Sequence, residues 1–230
     1  MKFIIVGMGN FGGYLAARLT DKGHEVIGID STMSRVEALK DKITHTICMD
    51  ATELHSAKNL PLKEADVVLV AIGEDIGASI MATAVFKELN VKRLISRAIS
   101  HTHETVIKAI GVNEIIHPEE ETAERLAKKL EMKGVIDSFS ISGGYNIVEV
   151  KSPKEFVGKS IGESDIRNKY NVNVLTIVKV RNRPNIFGAL QEREKVIGVV
   201  NARTVIENND ILVLFGEMKD IEKILDLNDD

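Results

Sequence analysis

Residues 2–19 read KFIIVGMGNFGGYLAARL: a short apolar strand-like run, glycines at Gly7, Gly9 and Gly12, then apolar residues at helical spacing. The first six residues are rich in Ile and Val and end at a glycine, which suits a buried strand. Leu15 and Leu19 fall four residues apart on what reads as one buried helix face, and Gly23 closes that helix. A strand that turns through G-x-G-x-x-G into a helix is the phosphate-cradling opening of a dinucleotide-binding βαβ unit. Gly7 admits the tight turn, Gly9 lets a pyrophosphate approach the backbone, and Gly12 lets helix and sheet pack closely. Met8, Asn10 and Phe11 complete the loop, and the N–H groups at the helix start are the natural phosphate donors. The hexamer alone is common. It gains weight from the next strand, EVIGID, which ends in Asp30, about twenty residues on, where an acid for the ribose hydroxyls belongs. An acid there disfavours a 2′-phosphate and hence NADP.

Working outward, the strand and helix grammar repeats. THTICMD, ADVVLVAIG, RLISRAIS and NEIIHP read as further strands. Between them, SIMATAVFKELN carries the helical period, with Ile80, Ala84 and Leu89 as its apparent inner face and Asn90 as its stop. Ser34 and Glu37 have capping-box spacing for a helix after Asp30, with a start a few residues earlier also open. Six strands alternating with five helices predict an α/β fold: a Rossmann-like doubly wound parallel sheet. Ligands of such sheets lie across the carboxyl ends of the strands. Ser31, Asp50, Ala51, Thr52, Ala71, Ile72 and Gly73 stand at those ends and are expected to line the adenosine half of a site. Arg97, late in the fifth strand, suits either ligand phosphates or a pair with Glu74 or Asp75.

After residue 118 the pattern changes. Glu119 to Lys133 reads as a charged helix with Ala123, Leu126, Ala127 and Leu130 on one face and Gly134 at its end; that face suits either a dimer surface or packing on its own domain. FSISGGYNIVEV, VNVLTIVKV, KVIGVV and DILVLFG then read as β runs, with helical pieces at Asp165–Tyr170 and Lys219–Leu227. The expected organisation is a nucleotide-binding domain at 1–118, a linker or crossover helix at 119–134 and a smaller α+β domain at 135–230.

Composition excludes several classes. The 230 residues carry a net charge of −4, without the basic excess that gripping nucleic acid requires. No run of eighteen apolar residues and no signal-peptide pattern is present, so a soluble, cytoplasmic chain is expected. The single cysteine, Cys48, rules out an internal disulfide framework and reads as an apolar strand position. His101 and His103 form an HxH, but no partner cysteines or histidine pair lie nearby in sequence; helix capping and surface exposure are expected instead of zinc. His117 reads as a strand-end residue with a ligand contact open to it. Glu119, Glu120 and Glu121 place favourable charge at a helix start.

In this order, GMGNFG, Asp30, CMDAT, VAIGED, ISRA and HPEEETAERLA resemble the amino-terminal domain of the RCK family (regulator of potassium conductance). Ile141 to Gly216, with SIGESDIRNKYNVNVLTI and ENNDILVLFG, is similar to its carboxyl-terminal domain, and the nearest type is the stand-alone TrkA and KtrA subunits. The resemblance implies a cytoplasmic gating subunit, not an enzyme, which binds NAD(H) or ATP/ADP, forms homodimers and then tetrameric or octameric rings, and regulates a membrane potassium-translocating subunit. It makes Gly7 to Gly12, Asp30, Asp50 to Thr52, Ile72, Gly73 and Arg97 nucleotide contacts, and Glu119 the holder of a divalent cation near the terminal phosphate. KtrA-like loops carry arginine where this chain has Asn10, which leaves the preferred nucleotide open. Some relatives bind cyclic di-AMP, for which Ile166, Arg167, Asn173 and Val174 stand in the matching segment, although Ala202 replaces a proline common there. Read from the residues alone, Ile166 and Val174 are core, Arg167 caps or pairs and Asn173 serves a turn. The rival reading is an NAD-dependent dehydrogenase, which needs an acid–base residue over the nicotinamide. The carboxyl-terminal domain, 135–230, contains no histidine to supply it.

Overall fold

The computed structural model describes residues 1–112, 114–184 and 190–228. The chain forms two compact units, Met1–Glu120 and Glu121–Asp230. In the first, β1 (Lys2–Val6), α1 (Asn10–Asp21), β2 (Glu25–Asp30), α2 (Met33–Leu39), β3 (His45–Cys48), α3 (Leu54–Ala57), β4 (Val67–Val70), α4 (Ile76–Glu88), β5 (Leu94–Arg97), α5 (His101–Ala109) and β6 (Glu114–Ile116) follow one another. The strands form a parallel sheet in the order β3-β2-β1-β4-β5-β6. The expected doubly wound sheet is therefore what the residues build. Its order reverses between β1 and β4, the switch point that opens a crevice at the strands' carboxyl ends.

The alternation of β1 explains why both faces are covered. Ile4 and Val6 join one apolar cluster with Ile29 and Phe86, while Ile5 joins the other with Ala16, Val26 and Leu69. Leu15 and Leu19 are only partly buried against that second cluster, because Gly12, Gly13 and Ala16 bring α1 close to the sheet first. The inner face of α4 is also not the expected one. Ser79, Ala82, Thr83, Val85 and Phe86 are buried, and Ile80, Ala84 and Leu89 are only partly so. Small and polar residues face inward here because Thr83 pairs its hydroxyl with that of Ser96 on β5, at 3.0 Å within the core.

Three other local expectations change. The helix after Asp30 starts at Met33 with Thr32 as its N-cap, so Ser34 and Glu37 lie inside it and form no capping box. Cys48 is exposed, because β3 is an edge strand with only partial cover. On α5 the two histidines of the HxH separate: His101 is exposed, whereas His103 is 1% exposed. Ser100 caps α5 by accepting from the His103 amide at 3.2 Å. The His103 ring accepts at Nδ1 from the Ile99 amide at 3.4 Å, and burial depresses its pKa below the usual 6.5.

Helix α6 (Pro118–Glu131) leads from the first unit into the second and has no buried residue. Of the two packings open to its apolar stripe, burial against its own unit is not found: Leu126 and Leu130 are exposed. The second unit continues with β7 (Val135–Ser140), β8 (Tyr145–Lys151), α7 (Ile161–Ser164), α8 (Ile166–Tyr170), β9 (Asn173–Pro184), β10 (Leu190–Val196), β11 (Ile211–Glu217) and α9 (Met218–Leu225). Its sheet is antiparallel in the order β10-β9-β11-β8-β7. FSISGGYNIVEV is a hairpin, because Gly143 and Gly144 both take positive φ, at 73° and 81°. In KVIGVV only Lys195 and Val196 are strand; the strand proper is the charged LQEREKV, held by its ladder to β9. A true capping box forms instead at Ser160 and Glu163, whose backbone and side chains bond reciprocally at 2.8 and 3.2 Å. Inside, Phe156, Ile166, Leu212, Leu214 and Ile221 pack as a separate core. Among the described residues, no helix is long and apolar enough to cross a membrane.

Candidate functional site

At the carboxyl ends of the parallel strands lies a cavity of about 370 Å³, within the usual range for small-molecule sites. The glycine loop forms one wall, and its three glycines serve different ends. Gly7 has φ +91°, and a Cβ there would lie 2.9 Å from the amide nitrogen of Ile72. A Cβ on Gly12 would lie 2.0 Å from the carbonyl oxygen of Gly7. Gly9 is different, since a Cβ there meets nothing within 4 Å and the residue borders the cavity. It is the N-cap of α1, which has neither a side-chain cap nor an acid in its first turn. The positive end of α1 is thus left without a neutralising carboxylate of its own. Asn10 and Phe11 border the cavity beside Gly9, whereas Met8 and Gly12 are buried behind it.

Asp30 and Ser31 both border the cavity, and Asp30 is 6% exposed. Asp30 Oδ2 accepts from the Met8 amide at 2.7 Å, and Oδ1 accepts from the Thr32 amide at 2.8 Å. The carboxylate therefore clamps the glycine loop to the end of β2 and turns the chain into α2. Each oxygen keeps a further lone pair that a ribose hydroxyl can use. Across from it, Asp50 accepts at Oδ1 from the Thr52 amide and hydroxyl, at 2.9 and 2.7 Å, which holds its carboxyl below the ordinary range. Ala51, Ala71, Ile72 and Gly73 supply the floor between these polar groups.

Arg97 does not pair with Glu74 or Asp75. Its guanidinium donates from Nη1 to the carbonyl of Ala71 at 3.1 Å and from Nη2 and Nε to the carboxylate of Glu119. It also lies over the Phe11 ring, 5.7 Å from the centroid. The space it occupies exists because Gly73 has no side chain: a Cβ there would sit 2.6 Å from the guanidinium carbon. Glu74 instead binds Arg35, at 2.7 Å, and Arg35 also approaches Asp30 at 3.7 Å. Arg35 is the residue that sequence reading missed. Its signal was its place in the first turn of the helix that directly follows Asp30, which brings it back over the strand end.

Glu119 borders the cavity, and its carboxylate meets Arg97 and not a second acid. Among the described residues, no group of three or more His, Cys, Asp or Glu side chains is arranged to hold a metal. His117 lies outside the cavity lining, with Nε2 3.6 Å from Glu104. In the second unit Ile166 is core and Val174 packs against it, while Arg167 and Asn173 are exposed. Asn173 opens β9, and the turn before it is made by Asn171 at φ +56°.

Two family models match this chain, the TrkA-N domain over residues 3–118 and the TrkA-C domain over residues 147–228. The chain belongs to the TrkA family. This TrkA-family chain is similar to Ktr system potassium uptake protein C of Bacillus subtilis (strain 168), 32% identical over 222 residues that cover 96% of this chain and 95% of that protein. Ktr system potassium uptake protein A of the same organism is 30% identical over 222 residues, covering 96% and 94%. In structure the TrkA-family chain is similar to the GsuK channel, with a TM-score of 0.65 and 17% identity over 98% of this chain and 38% of that one. The GsuK channel bound to NAD gives a TM-score of 0.63 at 17% identity, over 97% and 39%. At that identity the likeness establishes the fold: a TrkA-type Rossmann-like unit followed by the smaller antiparallel unit.

Proposed function

We propose that this chain is the nucleotide-sensing regulatory subunit of a potassium uptake system, with its signal read in the cavity above β1 and β4. The observation that carries the reading is the uncapped start of α1 meeting Arg97 in one cavity, since both favour the phosphates of a nucleotide. Near-full-length relatives that are potassium uptake proteins by name supply the process. In this reading Asn10, Phe11 and Gly9 border the phosphates, Asp30 takes the ribose, and Asp50, Ala51, Thr52, Ala71, Ile72 and Gly73 enclose the adenosine. The ligand is NAD(H) or ATP/ADP. The chain is not an enzyme; it acts at the inner face of the cell membrane on a separate potassium-translocating subunit. Its copies associate as homodimers within a ring, for which the exposed Leu126 and Leu130 stripe of α6 offers an apolar surface. The segment 119–134, which contains most of α6, is the crossover between the domains at 1–118 and 135–230. Glu119 is the position for a divalent cation, once its carboxylate is not engaged by Arg97. Ligand identity shifts the population between two assembled states only if it binds them with different affinity. No observation favours the dehydrogenase alternative.

The test is the melting temperature of the chain against NAD⁺, NADH, ATP, ADP and cyclic di-AMP. A ligand that binds only the folded state, at about a hundred times its Kd, adds roughly 2.7 kcal/mol. Gly9→Ala is the control, because a methyl group there obstructs the ligand and touches nothing in the protein. At least one adenine nucleotide is expected to raise the Tm of the natural chain and not of the variant. If none does, the sensor reading fails. Cyclic di-AMP is read separately, through loss of its shift in Arg167→Ala.

A further inference from the structure

We propose that Glu119 and the phosphate of a bound nucleotide compete for one cation, Arg97, so that phosphate binding releases the Glu119 carboxylate into the first turn of α6. This rests on the nucleotide reading given above and goes beyond it by assigning the ion pair a role in ligand selection.

The two partners of the pair are held very differently. Arg97 is fixed from three sides: by the Ala71 carbonyl, by the Phe11 ring, and by the space that Gly73 leaves for the guanidinium. Its side chain is 15% exposed, against 59% for Glu119. Glu119 is therefore the partner able to turn to water, and Arg97 is the one that stays. With Nη1 committed to Ala71, the edge formed by Nε and Nη2 remains for a planar anion, and Glu119 occupies that edge. A phosphate seeking bidentate contact needs the same two donors. It also arrives in the right place. Phe11 lies in the first turn of α1, so the helix start that favours a phosphate and the arginine that would meet it border the same cavity. The terminal phosphate of ADP carries more negative charge than a carboxylate and gains from the α1 terminus as well, whereas adenosine alone has nothing with which to displace Glu119.

The consequence is a site that discriminates for phosphate-bearing ligands through an exchange of partners. The experiment measures the Kd of adenosine and of ADP by calorimetry on the full chain in EDTA, and compares the ratio of the two across variants. In Glu119→Gln the competitor is neutral, so the preference for ADP over adenosine is expected to rise about two- to fivefold, the scale of a partly exposed ion pair. In Arg97→Gln the preference is expected to fall at least tenfold. An unchanged or reduced preference in Glu119→Gln overturns the exchange while ADP binding by the natural chain upholds the nucleotide reading. If the natural chain binds neither ligand, the nucleotide reading falls and this inference with it.

Discussion

A methyl group added at Gly12 would lie 2.0 Å from a backbone carbonyl, whereas one added at Gly9 meets no atom within 4 Å. Both glycines belong to one motif, and the structure gives them different steric surroundings. Gly12→Ala is expected to destabilise the first unit by about 1–3 kcal/mol, as overpacking does, and to weaken nucleotide binding through the distorted loop. Gly9→Ala is expected to leave the unfolding free energy measured in urea within about 0.5 kcal/mol of the natural chain, because its φ of −67° suits alanine, and to weaken binding alone. Comparable losses of stability in both would refute the division. Asp30 was legible as an acid at the strand end that borders the cavity, but its two amide partners were not, since they depend on how the loop folds back onto β2. Removing its carboxylate leaves buried donors unpaired, at a cost of about 1–3 kcal/mol, so Asp30→Ala confounds folding with binding. Arg97 was legible as a cation at the ligand edge; its actual partner, 22 positions along the chain, was not.

At the scale of elements, the strands of the first unit were readable because they are short apolar runs, most of them closed by Gly, Asp or Pro. Helix faces were less so. On α4 the chain turns Ser79, Ala82 and Thr83 inward, where a rule based on hydrophobicity looks for Ile80 and Leu89. β10 escaped because its residues are charged and its place comes from pairing with β9, which no local pattern encodes. Helix α5 offers a test of buried polarity. His103 is 1% exposed and its pKa is depressed by desolvation, so the folded state keeps the ring neutral while the unfolded chain protonates below about 6.5. The unfolded state then binds more protons, and stability is lost as pH falls from 7.5 to 5.5, by at most about 1.4 kcal/mol per pH unit. Glu104 contributes in a lower window: Lys108 first of all depresses its pKa below 4.5, so its contribution is lost only as pH falls through the carboxylate range. Thermal unfolding at the two pH values is expected to show the loss in the natural chain and a smaller one in His103→Gln. Equal losses would place the effect on other groups.

For the whole molecule, the apolar clusters divide as the chain does. Those built on Ile4, Ile5 and Ile107 draw only on the first unit, and those built on Phe156 and Val178 only on the second. The change of grammar near residue 118 foreshadowed this, since a parallel sheet with crossover helices and an antiparallel sheet with hairpins bury apolar groups by different periodicities. Separate cores imply separate cooperative units, each with its own stability. All residues bordering the cavity at the carboxyl ends of the parallel strands lie in Met1–Glu120. Calorimetric heating of the full chain is therefore expected to show two transitions, of which a saturating adenine nucleotide raises one. The fragment 1–134, which keeps α6 whole, is expected to reproduce that transition and to bind the same nucleotide with a Kd within about threefold of the full chain, a difference under about 0.7 kcal/mol. A single transition that moves as a unit with ligand would instead mean that the second unit folds only in the company of the first, and that nucleotide binding is already felt there as stability.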